Sequence, residues 1–238
     1  MRLLAVDTST LTGAVALLDG QVAVAECRVN VAVTHSERLL ATIDYLLSAA
    51  RWRLGDVEAL AVAVGPGSFT GLRIGVSTMK SLAFTTERPL VGVPTLDALA
   101  WTLPFAAHPV CPILDAKKGE VYTALFRTAA GWVDRLSPYR AVPPEALAAD
   151  LARDVHGPVI FLGDGVATCS TGLSRVLGTA ACFAPLAQRL PSAVAVGELA
   201  LGAVARGELA DPATLIPLYL RPSEAELARA RRTARHAH

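Results

Sequence analysis

GPGSFTGLRIG, Gly65 to Gly75, follows an apolar run, Ala59 to Val64, and opens a longer stretch with helical spacing. An apolar run that ends in clustered glycines and then turns helical reads as strand, turn, helix, the unit of an α/β protein. Its spacing, G-x-G-x-x-x-G, misses the dinucleotide fingerprint by one residue, and no Gly-Lys-Ser/Thr follows to make a P-loop. Gly65 and Gly67 permit positive φ in a sharp turn. Ser68 or Thr70 can cap the helix, whose free N–H groups would accept an anion. Along that helix Gly71, Gly75 and Thr78 form one stripe, and Leu72, Val76, Met79 and Ala83 another. A stripe without bulk admits a second backbone closely, either the protein's own sheet or first helix or a partner, and spacing does not choose between them.

Upstream, Leu3–Val6, Gly13–Leu18 and Gln21–Arg28 are β-like runs, the last two joined by the hairpin signal Asp19-Gly20. Thr34 and Glu37 have capping-box spacing, and after them Leu39, Leu40, Ile43, Leu46, Leu47 and Ala50 fall on one helical face. Downstream come a helix over 70–87, a strand near Leu90 and a helix over 95–103. The order is βββαβαβα. The second half repeats it, with strands at 110–114, 120–126 and 132–142, a helix at 144–153 with Pro at its start, a strand at 158–162, a helix at 166–177, a strand at 181–184 and a helix at 192–206. Each half also places an aspartate after its first strand, Asp7 and Asp115. The expectation is an α/β chain with a duplicated ribonuclease-H-like, actin-like (ASKHA) fold, divided into subdomains 1–106 and 107–238, the last segment of which could pack back on the first.

The 238 residues are 53% hydrophobic and 18% charged, enough apolar material for a substantial core. A formal net charge of +1 gives no chain-wide field to attract nucleic acid or an anionic membrane. Cys27, Cys111, Cys169 and Cys182 are far apart, without a C-x-x-C pair, which suits reduced thiols in a cytoplasmic protein. Five prolines between Pro89 and Leu114 break the most apolar long window, so no membrane helix is expected.

In actin-like ATPases the turn after the first strand cradles a phosphate, and Asp7-Thr8-Ser9 would suit that role. The same residues are also ordinary turn formers with local backbone bonds. Gly163-Asp164-Gly165 is a second Gly-rich turn, placed where an actin-like fold faces adenosine. No H-x-x-x-H pair, G-x-S-x-G elbow or metal-ligand spacing occurs, so neither a metal nor a catalytic residue is assigned. The arginines of the last segment, Arg229, Arg231, Arg232 and Arg235, leave open a local RNA-phosphate contact beside a solvated tail.

With LLAVDTST at Leu3, THSERLL at Thr34, VGPGSFTGLRIG at Val64, ILDAKKGEVYTALF at Ile113 and YLRPS at Tyr219, the chain resembles the TsaB (YeaZ) family. Lys117-Lys118 stand where that family often has arginines. The resemblance implies a non-catalytic scaffold subunit, without cofactor, of the machinery forming N6-threonylcarbamoyladenosine at position 37 of ANN-decoding tRNAs. Its implied partners are the transferase paralogue TsaD and the ATPase TsaE, with a homodimer when TsaD is absent and tRNA met only through the complex. The paralogue carries a His-rich metal motif where this chain reads VPTLDALA, from Val93, without histidine. The partner contact implied by the family lies on the first two helices, at His35, Leu39, Gly71, Leu72, Gly75, Thr78 and Met79. The alternative reading is an independent actin-like ATPase or kinase using Asp7, Thr8 and the Gly163 turn.

Overall fold

Strands β1 (Arg2–Asp7), β2 (Thr12–Asp19) and β3 (Val22–Asn30) form an antiparallel meander, and β4 (Ala59–Gly65) and β5 (Leu90–Pro94) extend it in parallel on the β1 side. The sheet order is β3-β2-β1-β4-β5. This is a computed structural model of the chain, and it describes residues 1–31, 35–129 and 132–221. The hairpin turn falls on Gly20 and Gln21, one residue later than the sequence suggests, with Asp19 facing Val22 and Gly20 at φ +56°. Helix α1 (His35–Ala49) begins one residue after Thr34, so the expected capping residue lies outside the described residues.

The second half repeats the order around β6 (Val110–Asp115), flanked by β11 (Val159–Leu162) and β12 (Ala181–Phe183) in parallel and by its meander in antiparallel. Where the sequence suggests two long meander strands, each is broken: β7 (Val121–Thr123) gives way to β8 (Phe126–Ala129), and β9 (Trp132–Arg135) to β10 (Arg140–Val142). The break has a local cause. Leu125 N donates to Ser137 Oγ at 2.8 Å and Leu125 O accepts from Leu136 N at 2.7 Å, which closes a bend, while Pro138 has no N–H for a continuous ladder. β7 pairs with β10 and β8 with β9, so the bent hairpin keeps the topology of the first meander.

Helices α1 and α2 (Phe69–Thr86) cover one face of the first sheet, where Leu39, Ile43, Leu46, Leu47, Val76 and Met79 pack on Leu4, Val6, Val15, Leu17, Leu60 and Val62. Both are crossovers that return from the C-terminal edge of the sheet, so they run side by side in the same direction. The opposite face is covered by α3 (Thr95–Trp101) and by α6 (Ala193–Ala205) of the second half. α6 is rich in alanine and apolar apart from Glu198, and it meets Ala14, Ala16, Ala59, Ala61 and Ala63, small residues that allow a close helix-on-sheet approach. Glu26 on β3 fixes its start by accepting from Ser192 Oγ at 2.7 Å and from Val194 N at 3.3 Å. α4 (Pro144–Asp154) and α5 (Val166–Leu177) cover the second sheet. Among the described residues no helix is long and apolar enough to cross a membrane.

Candidate functional site

Asp7 ends β1, and with Thr8 and Ser9 it is only 1% exposed. Three polar groups of this turn are engaged within the chain. Asp7 Oδ1 accepts from Ser9 N at 2.8 Å, Thr8 Oγ1 donates to Gly71 O at 2.8 Å, and Ser9 O accepts from Ser68 N at 2.6 Å. Ser9 Oγ is buried without a hydrogen-bond partner. The Gly-rich junction lies directly on this turn. Only Gly65 takes a positive φ, +115°; Gly67 does not, and its lack of a side chain serves contact instead, because a Cβ there would strike the backbone carbonyl of Ser9. Ser68 is the residue that caps α2, through Gly71 N at 3.3 Å.

Burial raises the Asp7 carboxyl from 3.8 to about 6, against the pull of the Ser9 groups, and the charge of Asp164 adds to the rise. A carboxyl raised on folding stabilises the fold below its unfolded value, and that contribution is lost as pH climbs from about 4 through 6. Asp7→Asn is therefore expected to raise stability at pH 7.5 by about 1–2 kcal/mol. It should also flatten the stability profile between pH 4 and 6, as followed by urea unfolding at each pH.

The second turn approaches the same crevice from the other half. Asp164 Oδ1 accepts from Asp115 N at 3.0 Å, and burial raises its carboxyl above the usual range. Asp115 is held below that range, despite some burial, by its 2.7 Å bonds with Lys117. The glycines answer to packing: Gly163 has φ +102°, and Cβ atoms on Gly163 or Gly165 would run into Ile113 O on β6. Among the described residues no group of three or more His, Cys, Asp or Glu side chains is arranged to hold a metal.

The residues expected at a partner face are placed differently. Gly71, Leu72, Gly75, Met79 and Leu39 are buried in the chain's own core, and Thr78 is half-buried. A Cβ on Gly75 would strike Thr8 Oγ1, so the glycine stripe accommodates the β1 turn. The His35 side chain lies outside the described residues, as do the C-terminal arginines. What these helices do expose is Leu40 (59%) and Tyr45 (66%) on α1 and Phe84 (60%) on α2. Leu40, expected on the core face with Leu39 and Ile43, points outward instead. The burial of Leu39 and Ile43 rotates it outward.

Residues 30–229 match the family model described as "TsaD: tRNA N6-adenosine threonylcarbamoyltransferase". The tRNA threonylcarbamoyladenosine biosynthesis protein TsaB of Bacillus subtilis (strain 168) is 34% identical over 229 residues, covering 95% of this chain and 96% of its own. The chain belongs to the TsaB family. YeaZ from Pseudomonas aeruginosa, of the same family, superimposes with a TM-score of 0.78 at 30% identity, over 92% of this chain and 99% of its own. The actin-like fold extends beyond TsaB: component A of the (R)-2-hydroxyglutaryl-CoA dehydratase of Acidaminococcus fermentans shares it, with a TM-score of 0.52 at 13% identity, over 86% of this chain and 99% of its own.

Proposed function

We propose that this chain is the non-catalytic scaffold subunit of a tRNA N6-threonylcarbamoyladenosine system. It acts with a TsaD-type transferase and a TsaE-type ATPase on position 37 of ANN-decoding tRNAs. Family membership supports the pathway. The observation that carries the non-catalytic reading is the buried Asp7-Thr8-Ser9 turn, whose Asp7 Oδ1, Thr8 Oγ1 and Ser9 carbonyl are engaged by Ser9, Gly71 and Ser68 of the chain itself. A phosphate would have to displace those bonds and enter beside two carboxyls, Asp7 and Asp164, already shielded from water. In this reading the chain works in the cytoplasm without a cofactor, as two subdomains divided near residue 106, and meets tRNA only within the complex.

The transferase-type partner docks on the outer face of α1 and α2, around Leu40, Tyr45 and Phe84. All three are large apolar side chains exposed on adjacent helices, the residue types that anchor interfaces. In the absence of that partner a second copy would cover the same face.

The competing reading is an independent actin-like ATPase, for which the aspartates at the crevice, Asp7, Asp115 and Asp164, are the supporting feature. Incubated with magnesium and ATP, the purified chain is expected to release no phosphate above the buffer rate and to give no calorimetric binding signal. Hydrolysis that disappears in both Asp7→Asn and Asp164→Asn would favour the ATPase instead.

A further inference from the structure

After α6 the chain turns back over the first half and then leaves it for the second. Ala210 N donates to Leu90 O at 2.8 Å, and Lys80 Nζ binds the carbonyls of Leu215 at 2.9 Å and Ala213 at 3.4 Å. Leu215 and Leu218 pack on the core beneath α2. At the C-terminal edge of the sheet Leu218 N donates to Val64 O at 2.7 Å, and the Leu218 carbonyl lies 2.7 Å from the position a Cβ on Gly65 would take. The next residue stacks on the first turn of α2: the Tyr219 ring is 4.7 Å from that of Phe69, and Arg73 Nε donates to Tyr219 Oη at 3.1 Å. Arg73 also lies over Phe69, 3.9 Å from its centroid.

Two residues on, the contact changes halves. Arg221 Nη1 reaches Glu120 Oε2 at 2.5 Å, both side chains being half-buried. Glu120 belongs to the turn between β6 and β7 that also carries Asp115 and Lys117, and its carbonyl accepts from Ala116 N at 3.0 Å. The strap thus starts on β5, crosses the C-terminal end of β4 beside the Asp7 turn, and is fastened to the opposite wall of the crevice. Open α/β sheets present ligands and moving segments at that edge.

We infer that Leu218 to Arg221 is a clasp that holds the crevice between the two halves closed, and that the Asp7-Thr8-Ser9 turn becomes accessible only when the clasp lifts. The clasp combines a stacked ring, two hydrogen bonds and an ion pair, none of them strong alone. It is therefore suited to opening and closing within an intact fold. The unpartnered Ser9 Oγ, in the turn on which Gly67 packs, is a position where a side chain can be changed without breaking a hydrogen bond.

The test uses the full chain with Ser9→Cys as a reporter, and maleimide labelling is read peptide by peptide so that the four native cysteines are separated. Tyr219→Ala with Arg221→Ala is expected to speed labelling at position 9 at least tenfold. Hydrogen exchange of the natural chain and of the same double variant is followed in parallel, in case the reporter disturbs folding. Exchange should rise in the peptides spanning 7–10 and 116–121 while the β2–β3 hairpin keeps its protection. Exchanging the charges, Glu120→Arg with Arg221→Glu, should return both readouts to within twofold of the parent. Unchanged labelling and exchange in the double variant would overturn the inference. So would a rise spread evenly over the chain, or a charge exchange as open as the double variant.

Discussion

Gly75→Leu should unfold the protein or leave it deeply destabilised, by about 3 kcal/mol or more, because α2 has no room for a side chain at that position. A Cβ on Gly75 meets the hydroxyl of Thr8, which is itself held by Gly71 O one helical turn earlier. The neighbours cannot retreat. Thr8 sits between Asp7 and Ser9, both buried, and Ser9 O is bound to Ser68 N at the head of the same helix. Differential scanning calorimetry would show a loss of ten degrees or more in Tm, since ~1 kcal/mol displaces Tm by a few degrees in a chain of this size. A variant that melts like the parent but binds a partner less well would return the glycine stripe to the surface.

The second large effect is expected on the opposite side of the same helices. Leu40→Arg or Phe84→Arg places a charge at an exposed apolar position of the proposed docking face, where an apolar partner surface would have to desolvate it. The affinity for a TsaD-type partner should fall about a hundredfold, close to 3 kcal/mol. Tm should change by no more than about two degrees, because both side chains are mostly exposed. The contrast with Gly75→Leu separates the two faces of α2: one change removes the fold, the other the association.

Those two faces mark the limit of what the sequence alone discloses. The strand-turn-helix at Gly65, the repeated element order and the paired aspartates were legible because glycine clusters and hydrophobic periodicity are local signals. The bend in the second meander was less so. Leu125 belongs to an uninterrupted β-like run, and only Pro138 on the facing strand hints that the ladder must break there. Small-residue spacing on α2 established a close contact, but which body makes it depends on Thr8, more than sixty positions away in the chain. The return of the strap was likewise out of reach, since Tyr219 meets Phe69 and Arg221 meets Glu120 only through tertiary structure. The candidate phosphate turn was readable as residues and unreadable as environment. The sequence places Asp7 after a strand, whereas its burial and its raised carboxyl come from the tertiary surroundings of the turn.

The central claim is that this chain does no chemistry itself yet is required for the chemistry of its partner. It is tested most directly by reconstitution with the cognate TsaD-type and TsaE-type proteins, tRNA and a threonylcarbamoyl-adenylate source, measuring modified adenosine by mass spectrometry of nucleosides. Modification should require the chain, persist at the parental level with Asp7→Asn, and fall at least tenfold with Phe84→Arg. Equal modification with the chain omitted would contradict the account.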